Sequence, residues 1–292
     1  MDTTAYIATP GKTIRLADYK TSDDGGLTKK EAKHQLKKDI GHISDLQYRL
    51  YAENRRALLI LFQAMDSGGK DSAIKHIMSG INPQGCEVTS FKHPSTQELE
   101  HNYIWRHYIR LPDRGRIGIF NRSVYENVLI TKVHPELILS ENLPGITAVK
   151  DITPAFWNRR YRQINQFERT ISENGTVILK FFLHLSKEEQ RQRFLERIHN
   201  PEKNWKFSYD DIRERHFWDS YQQAYEQAIN HTSTTFAPWY IIPADHKLYT
   251  HVIMGNIIAE TLDRMNIKMP LPTDEELKLL QKGKEELSAE KL

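Results

Sequence analysis

Apolar and polar positions along the chain follow two alternating rhythms. After an irregular segment over 1–26, Leu36, Ile40, Ile43, Leu46 and Leu50 recur at helical spacing and predict one helix over 27–54. "LLILF" (58–62) is then a continuous apolar run of strand length, as a parallel strand covered on both faces requires. Helix is expected over 70–80, closed by Gly80 and the turn "INPQG", and "EVTSF" (87–91) reads as a strand before a helix at 95–110. "RIGIF" (116–120) is the third strand, followed by helices at 124–131 and 154–173, the second ended by Gly175. "TVILKFFLHL" (176–185) is the fourth strand, leading into a charged helix at 187–199. "HNPEKNWKF" separates that helix from a longer one at 208–231. "WYIIP" (239–243) is the last strand, before an amphipathic helix at 247–265 and a Lys/Glu-rich helical tail at 273–290.

Strand alternating with helix five times over implies the α/β class: a three-layer sandwich with a five-stranded parallel sheet and helices on both faces. Sheets of this kind bind ligands at the carboxyl ends of their strands. The unusual residues fall there: "DSGGKD" after the first strand, "HPS" after the second, "NRSVYE" after the third and "PAD" after the fifth.

Length and composition narrow this picture. The 292 residues suit one large core, expected over 27–270, with 271–292 as an appended tail. No charge-free apolar run is long enough to span a bilayer, and "MDTTAYIATP" has no apolar segment of secretory type, so a cytoplasmic location is expected. A lone cysteine, Cys86, excludes an internal disulfide framework and reads as filler beside a turn. The net charge of +3, from 41 basic and 38 acidic residues, is small for a general nucleic-acid binder. Neither nucleic acid nor membrane is expected as a partner, and local clusters carry the signal.

The first cluster is Asp66, Ser67, Gly68, Gly69, Lys70, Asp71 and Ser72. A strict search for the Walker A pattern G-x-x-x-x-G-K-[ST] rejects it, because Ala64 replaces the first glycine and Asp71 the hydroxyl. Two glycines still permit a tight turn whose N–H groups face an anion, and the following helix N-terminus adds positive potential. Lys70 supplies a mobile point charge for a phosphate oxygen. The plainer alternative is a strand-to-helix turn with an exposed lysine. Asp66 and Asp71 would repel phosphate unless a cation mediates, and Mg²⁺ takes one or two carboxylates together with phosphate oxygens. Asp71 alone also fits first-turn compensation of the helix dipole.

At the third strand end, Asn121 stands where an ordinary phosphate-loop enzyme keeps a metal-holding acid. Glu126 is the nearest carboxylate, and Arg122 has the geometry to grip phosphate bidentately. Helix capping by Asn121 or Ser123 accounts for the same residues. Arg193 and Arg197 share one helical face, with Lys203 and Lys206 beyond Pro201. This region, about 187–215, is either a solvated charged helix or a mobile lid. His101 and His107, six apart, point to different helical faces and give no metal signal.

Taken together, "QAMDSGGKD", "GIFNRSVYENVLITKVHPE", "KFFLHLSKEEQRQRFLERI", "KNWKFS" and "APWYIIPADHK" resemble the family-2 polyphosphate kinases, which are similar in fold to thymidylate kinases. The resemblance runs from about Leu27 to Leu262, and "FNRS.YE" is similar to the class that accepts both nucleoside mono- and diphosphates. It implies a phosphate-loop kinase with a helical lid that moves phosphate between inorganic polyphosphate and AMP or ADP. Mg²⁺ is the implied cofactor, with Mn²⁺ as the alternative ion. Adenine nucleotides are the implied acceptors, guanine nucleotides the second choice, and a homodimer or homotetramer the implied assembly. By resemblance Asp66 holds the metal and orients the acceptor phosphate, and Lys70 binds phosphate. Asn121, Arg122 and Glu126 match the second catalytic block, with Glu126 as second metal candidate. Arg193, Arg197, Lys203 and Lys206 match positions along a polyphosphate path, Arg197 being the expected catalytic finger. The rival reading is an ATP-dependent nucleotide kinase of thymidylate-kinase type. A third is a phosphate sensor without activity, which Asn121 favours.

Overall fold

The structure, a computed structural model, describes residues 2–290. Its central strand, β2 (Ala57–Ala64), is buried along its whole length. β4 (Ile117–Asn121) and β5 (Thr176–His184) pair with it in parallel on either side. β3 (Cys86–Ser90) lies outside β4, and β6 (Trp239–Pro243) outside β5, both parallel. These are the five parallel strands expected from sequence, four from apolar runs and β3 from the β-rich segment "EVTSF". A sixth, β1 (Ile7–Ala8), pairs antiparallel with β6 and makes the order β1-β6-β5-β2-β4-β3.

The runs are continuously apolar because helices cover both faces. Leu58, Ile60 and Phe62 point to one side, where Ile43 and Leu50 of α1 (Lys29–Glu53) and Ile253 and Ile257 of α10 (Lys247–Arg264) meet them. Leu59 and Leu61 point to the other, against Ile164 of α6 (Pro154–Glu173) and Tyr225 and Ile229 of α9 (Trp218–Thr232). Each such side chain contributes about 1.5–3 kcal/mol by leaving water.

The N-terminal segment, expected to be irregular, is mostly so outside its two-residue strand. Asn230 holds it to α9 by accepting from the Ile14 N–H at 2.8 Å and donating to its carbonyl at 3.0 Å.

Three expected helices are broken. The 95–110 helix is two short ones, α3 (Thr96–Leu99) and α4 (Trp105–Tyr108), because Asn102 Oδ1 accepts from the Ile104 and Trp105 N–H groups and turns the chain. The 124–131 helix is a 3₁₀ turn, Val124–Val128, followed by α5 (Ile130–Val133). The 208–231 helix begins as α8 (Tyr209–Glu214) and reaches α9 only after a 3₁₀ turn at Arg215–Phe217. The tail forms α11 (Asp274–Ala289), opened by a capping box between Thr273 and Glu276, and none of its residues is buried. Lys291 and Leu292 of the expected tail, and Met1 of the N-terminal segment, lie outside the described residues. No described helix is long and apolar enough to cross a membrane.

Candidate active site

β2 ends at Ala64, and the chain turns through residues 65–69 into α2 (Lys70–Ile77). Ser67 and Gly69 adopt left-handed backbone conformations, with φ of 60° and 99°. Gly68 is required by crowding: a Cβ there would lie 2.4 Å from the Ala64 Cβ and 2.7 Å from the Met65 carbonyl. Ala64, the residue that breaks the Walker A pattern, thus packs directly on the glycine that the turn needs. Lys70 opens the helix and donates to the Ala64 carbonyl at 3.0 Å. Burial pushes the Lys70 ammonium pKa down, as does Arg122, while Asp66, Glu126 and Asp71 pull it back up.

Helix α7 (Lys187–His199), capped by Ser186, straps the loop from outside. Gln190 Nε2 donates to the Asp66 carbonyl at 3.0 Å. Arg193 is buried and donates to Glu189 Oε1 at 2.8 Å, to the Ser67 carbonyl at 3.0 Å and to the Ala244 carbonyl. Its guanidinium borders the cleft but is already committed to protein acceptors. Arg197, one turn on, is paired instead with Asp211 Oδ2 at 3.1 Å. Lys203 is paired with Glu196, and Lys206 lies 4.9 Å from the centre of the largely exposed Trp205 ring.

β4 delivers the second block. Asn121 Nδ2 donates to Asp71 Oδ1 at 2.8 Å. An aspartate at 121 would put a second carboxylate against Asp71, so the amide suits this pairing. Asp71 thereby stands in the first turn of α2 and is also held from the neighbouring strand end. Arg122 has a left-handed backbone, φ 66°, and its Nη2 lies 3.4 Å from Asp66 Oδ1. Ser123 caps the following 3₁₀ turn by accepting from the Tyr125 N–H. Glu126 accepts from the buried Gln63 Nε2 at 3.0 Å.

These elements enclose a cleft of about 700 Å³. It is bordered by Asp66, Ser67, Gly68, Gly69, Lys70, Asp71 and Ser72, and by Asn121, Arg122, Arg193, Arg197, Lys203 and Lys206. Every site residue expected from sequence except Glu126 is therefore on one wall of one space. Lys92, Lys247 and Asp211 join them and were not anticipated. The sign of the two lysines was their place near strand ends, Lys92 just before "HPS" and Lys247 just past "PAD". Eight lysines and arginines line the cleft against four carboxylates, Asp66, Asp71, Glu196 and Asp211. That surplus suits a ligand carrying several negative charges.

Glu126 faces the other way. It borders a hollow of about 120 Å³ together with Asp66, Arg122, Asp211 and Tyr221. It also borders a second cavity of about 120 Å³ whose walls include Phe91, Tyr103, His107, Leu137 and Glu141. Arg122 touches all three spaces, so it stands at their junction.

Among the described residues no three His, Cys, Asp or Glu side chains converge as a ready-made metal cage. Mg²⁺ does not need one, since it binds through one or two carboxylates plus substrate phosphates and water. Asp66 fits that donor set: it borders both the basic cleft and the smaller hollow, and its one side-chain partner is the long contact to Arg122.

Comparison with known proteins agrees with the geometry. Residues 26–270 match the family described as polyphosphate kinase 2. An ADP-polyphosphate phosphotransferase of Rhodopseudomonas palustris is 48% identical over 278 residues, covering 95% of each chain. An AMP/ADP-polyphosphate phosphotransferase of Meiothermus ruber is 46% identical, covering 79% of this chain and 80% of its own. The crystal structure of polyphosphate kinase 2 from Arthrobacter aurescens TC1 superposes with a TM-score of 0.84 at 33% identity, over 96% of both chains. With a family match across most of its length and relatives near half identity end to end, this chain belongs to the polyphosphate kinase 2 family.

Proposed function

We propose that this protein transfers the terminal phosphoryl group of inorganic polyphosphate to ADP and AMP, reversibly. The observation that carries the reading is the cleft, where the phosphate loop, the lid and the segments bearing Lys92, Arg122 and Lys247 together set eight cations against four carboxylates. A polymer with one negative charge per phosphate is the donor that such a surplus accommodates. The names of the relatives at 46% and 48% identity support the same donor and the same acceptors.

In this mechanism the polyphosphate end lies on the N–H groups of residues 67–70, with Lys70 against its oxygens and Lys203 and Lys206 along the chain. The acceptor nucleoside occupies the cavity walled by Phe91, Tyr103 and Leu137. Its phosphate reaches Arg122 at the junction, and one of its oxygens attacks the terminal phosphorus in line. The bond from that phosphorus to the bridging oxygen breaks as it does so, leaving polyphosphate one unit shorter with the negative charge on its new end. The attacking oxygen is already anionic, so no side chain has to remove a proton. Arg197 swings from Asp211 to the transferring group, whose charge spreads over three oxygens. Asp66 and Glu126 are the candidate holders of Mg²⁺, which when bound neutralises phosphate charge.

The first test supplies Mg²⁺ and long-chain polyphosphate with AMP and ADP separately, and measures ATP. ATP from both acceptors is the expected result. ATP from ADP alone would keep the donor and narrow the acceptor class. No ATP from either would overturn the reading in favour of an ATP-dependent nucleotide kinase.

Glu126→Gln tests the second carboxylate. The substitution keeps a partner for Gln63 and removes the charge. The Mg²⁺ concentration for half-maximal turnover is expected to rise about tenfold. An unchanged titration would leave the metal to Asp66 alone.

A further inference from the structure

Lys180 stands in the middle of the apolar run of β5, yet it is fully buried, as is Glu168 of α6 beside it. Its ammonium donates to Glu168 Oε2 at 2.7 Å, to Tyr125 Oη at 2.9 Å and to the Thr232 carbonyl at 2.7 Å. All three ammonium hydrogens are therefore used. Tyr125 Oη donates in turn to Glu168 Oε1 at 2.7 Å. Its ring meets Trp239 edge-on at 4.6 Å, and Trp239 Nε1 donates to Thr232 Oγ1 at 2.9 Å. The network joins α6, β5, α9 and the 3₁₀ turn after β4. None of Lys180, Glu168, Thr232 and Tyr125 borders the basic cleft or the two cavities beside it.

Such a network is a poor way to add stability. Desolvation of a buried ion pair offsets most of its attraction, and apolar residues of similar volume often serve as well or better. What hydrogen bonds add is direction, which apolar contacts lack. The segment that receives this direction needs it. Val124–Val128 is a five-residue 3₁₀ turn, a form with weak internal bonding, entered through the left-handed Arg122. Val124 and Val128 are buried, and their apolar contacts carry no direction. Tyr125 sits inside the turn, three residues after Arg122 and next to Glu126.

We infer that Tyr125, clamped by the Lys180–Glu168 pair, is a positioning residue that sets where Arg122 and Glu126 stand in the site. The kinetic part of its test rests on the polyphosphate reading above; the structural part does not. Tyr125→Phe keeps the ring and deletes the hydroxyl. With the fold retained, kcat is expected to fall about tenfold, since small displacements of positioned groups are costly. The KM for polyphosphate should stay within about twofold, because the loop and lid are untouched. In a Glu126→Gln background the same substitution should cost clearly less, since one of the groups it positions is already gone. The same fold-loss in both backgrounds, or none in either, would overturn the inference.

A second variant guards against a misfolded Tyr125→Phe. Replacing Lys180 and Glu168 together by methionine removes the pair as a unit, leaves Tyr125 Oη and the Thr232 carbonyl without these partners, and should lower kcat at a temperature where the variant is folded. Wild-type kcat in that variant would overturn the clamp. Amide hydrogen exchange over residues 122–128 of the ligand-free chain supplies the readout that needs no substrate. Faster exchange there in Tyr125→Phe is expected, and unchanged protection would overturn the inference whatever the assay shows. Failure of the unmodified chain to make ATP from polyphosphate would instead overturn the proposed donor and leave the exchange result standing.

Discussion

Lys70→Ala is expected to reduce phosphoryl transfer at least about 10³-fold while leaving the protein folded. The Lys70 ammonium makes one hydrogen bond within the protein, to the Ala64 carbonyl at 3.0 Å. Losing it costs about 1 kcal/mol of stability. The fold at this point depends on other groups: Gly68 against Ala64, and the Arg193 and Gln190 contacts to the loop backbone. The electrostatic loss is of another order. Lys70 is part-exposed as a residue with its ammonium buried at the floor of the cleft, beside Asp66 and Asp71, and without it the loop presents two carboxylates to an incoming polyanion. Lys70→Arg should restore part of the rate, because the charge returns on a longer, planar group. Turnover near the wild-type rate in Lys70→Ala, with an unchanged melting temperature, would remove Lys70 from the mechanism.

The parts of this molecule that were legible in its sequence are those set by local chemistry. Four parallel strands were visible because each is largely buried and reads as an apolar run, and the half-exposed outer strand β3 was visible from its β-branched residues Val88 and Thr89. β1 was not, since a two-residue edge strand has no run to read; it exists because Trp239 and Tyr240 offer an unpaired edge. The helix at 95–110 was misread because periodicity continues across Asn102, whose side chain takes over two backbone donors and turns the chain there. In the site, the loop was legible as two glycines and a lysine between a strand and a helix. Arg193 and Arg197 were not separable, being one helical turn apart with the same residue type. Tertiary packing divides them: Arg193 inserts between the loop and the end of β6, and Arg197 meets Asp211 at the cleft. Asp211 escaped notice because nothing near it in sequence marks it as facing the cleft. Lys180 did carry a mark, a charge inside a strand that otherwise excludes water, and such a residue calls for a partner before the structure is seen.

Arg197→Ala is expected to lower kcat about 10³-fold, or about 4 kcal/mol in the barrier, with a much smaller effect on KM. The geometry of Arg197 explains the split. Arg197 is held by Asp211 at 3.1 Å and by the Lys206 carbonyl at 3.4 Å, at the rim of the cleft and part-exposed. It is expected to contribute little to the ground state, because Lys70, Lys92, Lys203, Lys206 and Lys247 also line the cleft. Its guanidinium gains most when charge accumulates on the transferring oxygens, so its removal falls on the transition state. Burial and the nearby Asp66 push the Asp211 carboxyl pKa up, against the pull of Arg197 and Arg122. Asp211→Asn should reduce kcat far less than Arg197→Ala, since the arginine remains and only its resting partner is weakened. Arg193→Ala supplies the contrast from the same helix. It removes buried bonds to the Ser67 and Ala244 carbonyls, so its first effect should be a lower melting temperature and a looser loop. If Arg197→Ala changes kcat by only a few-fold while Arg193→Ala abolishes it in a protein of normal stability, the two arginines have exchanged roles. The lid would then act through the residue that the resting structure keeps buried.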